Sequence, residues 1–284
     1  MSFPFTKIIA VLQVTPEHPT AEHIEMFGGP DCDFYFVTHD AAHPDAVKFC
    51  PNTSWAETRN VLVELVPREY EYYAFVDYDY EIESLTQLSV LEQMISDLDL
   101  FKPAVLVPYP GDGLLGPLAG DLKYRQSRAH SVRLFAHAGL VVVHHTLLDW
   151  FFPLVTQFDG GFSAAHLFNI LQIPFMKNII MSHKFMYHNR VLGPSESNAP
   201  HNKSVKKSHQ NMDKMWHWIR PAFEIHDFSK FNKALDIKKY FTTICDTRQL
   251  VPEVNNSDDL NYYDPRLLRL FFDPRHEYFK DKGF

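Results

Sequence analysis

Apolar residues run without interruption through "KIIAVLQV" (7–14), open "DFYFVTHD" (33–40), fill "YYAFV" (72–76) and recur in "AVLVPYP" (104–110). Short runs of this kind, rich in β-branched and aromatic residues and closed by proline or polar residues, predict strands buried on both faces. Between them, "SWAETRNVLVELV" (54–66) spaces Ala56, Val61, Leu62 and Leu65 along one helical face. Ser54 stands there as N-cap with Glu57 at the third helical position, the signature of a capping box. "LTQLSVLEQMISDL" (85–98) predicts a further helix. Strand, helix and strand alternate, which predicts an α/β fold: a mostly parallel sheet with helices on both faces and ligands outside the carboxyl ends of its strands.

The second half of the chain is less regular. Residues 111–130 are Gly-rich and without periodicity, which predicts a long functional loop. "SVRLFAHAGLVVVHH" (131–145) predicts a strand interrupted at Gly139, "TLLDWFFPLV" and 161–173 predict helices, and 178–190 a late strand. A polar stretch (191–210) and several helical pieces follow. The expected organisation is a single domain with a core over 1–190 and a C-terminal extension, 191–284, packed on it. There is no internal repeat.

Composition narrows the function classes. With 284 residues, 45% of them hydrophobic, the chain can bury a sizeable core. Its net charge of −8 repels phosphate backbones and argues against a nucleic-acid partner. Three cysteines, Cys32, Cys50 and Cys245, lack CxxC spacing, so neither a disulfide framework nor a zinc-thiolate site is predicted. No apolar run reaches the roughly 18 residues of a membrane span, and the N-terminus reads as a first strand rather than a signal peptide. The expectation is a soluble, cytoplasmic protein with no membrane span.

The stretch "YYAFVDYDYEIES" (72–84) carries Asp77, Asp79, Glu81 and Glu83 at every second position. Alternation alone produces this on any strand with one wet face. "YYAFV" does not alternate, however, so the carboxylates begin where a doubly buried strand emerges at the ligand edge. Like charges crowded there cost free energy unless a cation neutralises them. Mg2+ or Mn2+ suits such a place, since either binds one or two carboxylates and bridges to phosphate oxygens. Glu81 and Glu83 read as solvated residues beginning the next turn.

"FVDYDYE" resembles the Asp-x-Asp motif of GT-A fold glycosyltransferases, enzymes that use nucleotide-sugar donors. Further matches follow in order: a first strand ending in "LQV", a second ending in "THD", and a helix "WAETRNVL" with Arg59 and Asn60 on the nucleotide side. Together they span roughly residues 7 to 190. A narrower likeness is to the small soluble glycosyltransferases of large algal viruses, some of which transfer xylose or rhamnose.

The resemblance implies a GT-A-like core and Mn2+ or Mg2+ held by Asp79 and Asp77, with His188, or else His183, as third ligand. Asp77 and Tyr78 would face the donor, Asp40 the base or ribose, and Arg59 a phosphate. Gln13, Val14 and Thr15 would line the base pocket with backbone groups. Lys203, Lys206 and Lys207 would close over the diphosphate, and Trp55, Tyr109 and Trp150 would offer faces to sugars. Asp159 in "QFDGGFS" would be the general base of an inverting reaction, with Asp149 a weaker candidate. No clear acidic pair precedes the second helix, so retention stays open.

Each position also has a plainer reading. Asp40 would close a turn, Arg59 would be a solvated helix residue, Asp159 would N-cap a helix near Phe162, and the lysines would be a solvated run. The expected activity is transfer of a sugar, xylose or another UDP-linked one, to a hydroxyl of a glycan acceptor. Its rivals are a nucleotidyltransferase, a phosphohydrolase, and a non-catalytic carbohydrate- or nucleotide-binding protein of the same fold. A nucleotidyltransferase commonly has a Gly-rich, basic loop after the first strand, where this chain has "TPEHPT".

Overall fold

The computed structural model describes residues 8–110, 130–132, 139–157 and 179–190, with positions 211, 214, 217, 218 and 221. Their elements, in order, are β1 (Ile9–Thr15), α1 (Ala21–Phe27), β2 (Cys32–Thr38), β3 (Lys48–Phe49), α2 (Trp55–Leu65), β4 (Tyr72–Asp77), β5 (Tyr80–Ser84) and α3 (Val90–Phe101). They continue with β6 (Val105–Pro110), β7 (His130–Val132), β8 (Leu140–His144), a 3-10 turn at His145–Leu147 that runs into α4 (Leu148–Phe151), and β9 (Ile179–Asn189).

One sheet has the order β3-β2-β1-β4-β8-β6-β9-β5, with β7 paired to β9. From β3 to β4 it is parallel. β8 then runs antiparallel between β4 and β6, β6 and β9 are parallel, and β5 and β7 run antiparallel to β9. The carboxyl ends of β1, β2 and β4 therefore lie together at one edge, where β8 begins.

The unbroken apolar runs reflect burial on two faces. All seven residues of β1 are buried, as are the first five of β4. On one face Leu12, Val14, Tyr73 and Phe75 pack with Leu62 and Val63 of α2. On the other, Ile9, Val11, Tyr72, Ala74 and Val76 pack with Phe27 of α1 and with Val90, Leu91, Met94 and Leu98 of α3. The α/β fold with helices on both faces is thus as expected. Among the described residues no helix is long and apolar enough to cross a membrane.

Several local expectations change. α3 starts at Val90 rather than Leu85, because Ser89 and Glu92 form a reciprocal capping box. α1 was not expected; it lies behind a Pro-rich turn and is started by Thr20, whose side chain accepts from the His23 amide. The helix expected in "TLLDWFFPLV" contracts to the 3-10 turn and α4, stopped where Pro153 cannot donate. Residues 80–84 are a strand, not a turn: Tyr80 and Ile82 are buried while Glu81 and Glu83 face solvent. Beyond Asp79, plain alternation explains the acids.

Burial leaves histidines neutral. His144 is 1% exposed, lies edge-on to the Tyr72 ring at 5.1 Å, and has its Nδ1 2.9 Å from the Thr146 hydroxyl. Burial, with a smaller contribution from His145, lowers its pKa to about 3. In the unfolded chain a histidine titrates near 6.5. On acidification the unfolded state takes up the proton first, so stability is complete above that value and falls as pH drops toward the folded pKa. Between about pH 7 and about pH 5, His144 should account for a loss of about 2 kcal/mol. Urea denaturation of the wild type and His144→Gln at the two pH values should show a shallower decline in the variant.

Candidate functional site

Where β1, β2 and β4 end, the chain encloses a cavity of ≈ 250 Å³. Val14 of β1 and His39, the residue after β2, line it. Thr53, Trp55 and Thr58 come from the start of α2 and the residue two before it, and Asp77, Tyr78 and Asp79 come from the end of β4. The Ser54 capping box fixes where α2 begins: the Ser54 side chain accepts from the Glu57 amide, and the Ser54 amide donates to Glu57 Oε2 at 2.7 Å. That start puts Trp55 and Arg59, one helical turn apart, on the same side of α2.

Both residues bind one oxygen of Asp77. Trp55 Nε1 donates to Asp77 Oδ1 at 2.9 Å, and Arg59 Nη2 donates to the same atom. The guanidinium also lies 4.0 Å over the Trp55 ring and 5.6 Å from the Phe75 ring. Arg59 is 4% exposed and Asp77 18%. A buried guanidinium is tolerated only with an anion and further contacts beside it, and Asp77, Trp55 and Phe75 provide them. Because both bonds fall on Oδ1, Oδ2 is not spent on them.

The turn after Asp77 is held through its backbone. The Asp77 amide donates to the Gly139 carbonyl at 2.8 Å, and the Arg190 amide donates to the Asp79 carbonyl at 2.9 Å. The Tyr80 ring packs flat on Gly139: a Cβ there would sit 2.4 Å from Tyr80 Cζ, so only glycine admits the ring. Tyr78 is 40% exposed and lines the cavity. Burial, then the carboxylates of Asp79, Asp40 and Asp77, push its phenol above the usual range. Three carboxylates therefore stand near the Tyr78 hydroxyl, that of Asp77 paired with Arg59.

Of the residues singled out by sequence, Val14, Asp77, Tyr78 and Asp79 meet at this cavity, and Trp55 joins them. Arg59 is not a solvated helix residue; it is committed to Asp77. Gln13 lies away from the cavity, fully buried, with its amide 2.7 Å from His23 Nδ1. Its backbone runs in ladders with both β2 and β4, which occupies the groups expected to face a base. Thr15 is buried and donates its hydroxyl to the His18 carbonyl at 2.6 Å. Asp40 is exposed beside the cavity, 2.9 Å from His39 Nδ1. Asn60 uses both ends of its amide on the Leu154 backbone, at 2.9 Å and 2.6 Å, and so faces the segment after α4.

His188 pairs across from Glu81 and has Nε2 3.3 Å from Glu83 Oε1. His183 lies against Tyr109, whose ring is buried rather than offered to a sugar. Asp149 is on the surface with Arg68 at 3.4 Å. Asp159, Lys203, Lys206 and Lys207, and the side chain of Trp150, lie outside the described residues. Among the described residues no group of three His, Cys, Asp or Glu side chains is arranged to hold a metal ion.

Sequence reasoning did not find His39, Thr53 or Thr58, which line the cavity, or His23. The four-residue spacing of Trp55 and Arg59 was a readable signal that the two act together. Nothing local marks His23, since its partners are 10 and 57 residues away.

No family model matches the chain, and no curated protein matches it in sequence. Solved structures do. The mannosyltransferase PcManGT from Pyrobaculum calidifontis, in complex with GDP-Man and Mn2+, is similar over 99% of this chain and 87% of its own, at 12% identity and a TM-score of 0.53. TarS from S. aureus is similar over 86% and 81%, at 12% identity and 0.47. Glucosyl-3-phosphoglycerate synthase from Mycobacterium tuberculosis, in complex with Mg2+ and UDP, is similar over 74% and 79%, at 10% identity and 0.46. The likeness to PcManGT shows the fold: a GT-A-like, Rossmann-type α/β sheet.

The Arg59 pairing makes a direct prediction. Replacing Arg59 by Met strands a carboxylate and should destabilise the protein by about 3 kcal/mol. Arg59→Lys should recover only part of that, because an ammonium lacks the planar group that stacks on Trp55. Urea denaturation of the three proteins measures both.

Proposed function

We propose that this protein is a metal-dependent glycosyltransferase that moves a sugar from a nucleotide-sugar donor to a hydroxyl of a glycan acceptor. The observation that carries the reading is the pair Asp77 and Asp79, set by a doubly buried strand at the lip of a cavity at the carboxyl edge of parallel strands. That is the ligand edge of an α/β sheet, and the fold likeness to a mannosyltransferase supports the same reading.

The donor set suits Mg2+ or Mn2+. Asp77 and Asp79 offer hard oxygen ligands, and Asp40 adds charge nearby, so a diphosphate needs a cation to sit here. Asp79 and Asp77 would hold that ion. His188 is the proposed third ligand, exchanging its contact with Glu83 for the metal. The ion, when bound, stabilises the negative charge that develops on the departing diphosphate.

The chain's own groups supply the rest. Trp55, His39, Thr53 and Thr58 form a mixed, mainly apolar wall for a nucleoside. The Arg59 and Trp55 bonds hold Asp77 in one orientation before the donor arrives, so none of the binding energy goes to ordering it. Tyr78 lies between the two acids and would face the donor. Asp159 is the proposed general base, taking the proton of the acceptor hydroxyl as it attacks the anomeric carbon with inversion. The donor we favour is UDP-linked, xylose being one candidate sugar.

The test is incubation with a panel of nucleotide sugars and Mn2+, following release of the nucleoside diphosphate and transfer to added glycans. The wild type should release UDP, and Asp79→Ala should lose activity about a hundredfold or more without a change in thermal stability. Full activity of Asp79→Ala in EDTA would overturn the metal-dependent reading. Tight binding without release would identify a binding protein, and turnover of GDP-sugars alone would overturn the uridine donor.

A further inference from the structure

Behind the acid-bearing turn lies a polar contact that the proposed chemistry does not use. His23, in the first turn of α1, is fully buried. Its Nε2 is 2.9 Å from the Tyr80 carbonyl and its Nδ1 is 2.7 Å from Gln13 Nε2. A carbonyl only accepts, so Nε2 carries the proton and donates. Nδ1 is then the acceptor, and Gln13 must present its amide NH2 to it. The contact thus specifies one tautomer of a neutral imidazole, and burial, which lowers the pKa of His23, favours the same form.

We propose that His23 is a positioning residue, acting through the Tyr80 carbonyl to hold Asp77 and Asp79 at the cavity lip. Tyr80 directly follows Asp79, and its ring is the one packed on Gly139. The adjacent residue on α1, Glu22, binds the side chain of Arg190, whose amide holds the Asp79 carbonyl. One turn of α1 therefore grips the return from the acidic turn at two consecutive residues, 79 and 80. Gln13 completes the arrangement by tying His23 to β1, the strand beside β4. β1 and β4 thereby set the turn's position from below while α1 sets it from the side. Without His23, Tyr80 keeps its ring contact and its place in the ladder with β9 but loses the side-chain bond to its carbonyl, which leaves the Arg190 amide to hold the turn at Asp79.

The kinetic part of this proposal rests on the glycosyltransferase reading; the structural part does not, and the experiment separates them. Backbone hydrogen exchange is measured by mass spectrometry on the full chain for the wild type, His23→Phe and His23→Gln. The Phe ring fills the site without a donor, whereas the Gln amide donates to Tyr80 and accepts from Gln13. In His23→Phe, amides of the peptide covering 77–84 should exchange about tenfold faster, the worth of one such hydrogen bond. Peptides from α2 and β2 should be unchanged, and His23→Gln should return to within about threefold of wild type.

In parallel, nucleotide-sugar turnover with Mn2+ should fall in kcat by about tenfold or more in His23→Phe and recover in His23→Gln, with the KM for acceptor unchanged. Unaltered exchange at 77–84 in His23→Phe, or failure of His23→Gln to restore it, overturns the positioning role. If the wild type turns over no nucleotide sugar, the functional reading fails while the exchange result still decides the role of His23. Should His23→Phe not fold, Gln13→Met, which removes the bond that orients the His23 ring toward the Tyr80 carbonyl, must show faster exchange at 77–84 or the proposal falls.

Discussion

A guanidinium can be taken out of water only where an anion meets it, and in this protein that anion is Asp77. The pairing joins α2 to the end of β4 and determines the shape of the cavity. Because Arg59 must reach Asp77, α2 lies with Trp55 at the cavity wall, and Trp55 in turn donates to the same carboxylate. The guanidinium is sandwiched against aromatic rings and cannot follow a ligand outward. The first acid of the turn is thereby oriented in the empty protein, at the expense of desolvating two charges, and the second acid, Asp79, follows from it through a tight turn.

That turn would still be a loose loop if Asp77 were its only fixed point. Its stiffness comes from the other face of the sheet and from the far strands. Gly139 accepts the Asp77 amide and receives the Tyr80 ring, Arg190 of the segment after β9 takes the Asp79 carbonyl, and α1 reaches over with His23 and Glu22. Each of these partners is contributed by a different part of the chain. The two apolar layers, one under α2 and one under α1 and α3, are what bring them to the same edge. The acidic lip is thus a product of both cores at once.

Much of this was readable from local pattern. Doubly buried strands announce themselves as unbroken apolar runs, so β1, the apolar part of β2, β4 and β6 were legible, and so was α2 with its capping box. The emergence of Asp77 and Asp79 at the end of β4 was legible as well, because the apolar run stops there. "YEIES" alternates as the antiparallel β5 requires, but the acids that precede it give the pattern the form of a turn. Leu85 and Leu88 continue the apolar spacing of α3 and predict too early a start, whereas the Ser89 and Glu92 cap, equally present in the sequence, decides it. Local pattern does not predict α1, because seven residues beside prolines carry too little periodicity to mark a helix.

Sequence by itself determined the buried strands, the capped start of α2 and the place where two acids emerge, because each depends on neighbours a few residues away. It did not determine what those acids touch. Arg59 read equally as a solvated residue or a phosphate contact, and only the packed structure commits it to Asp77, 18 positions along the chain. Gln13 read as part of a base pocket, and only the sheet register turns it toward His23. His23, His39 and Thr53 carried no local mark at all. Hydrogen bonds and ion pairs of this kind are satisfied across long sequence separations, so the partner is chosen by which faces the two cores press together, and that choice exists only in the tertiary structure.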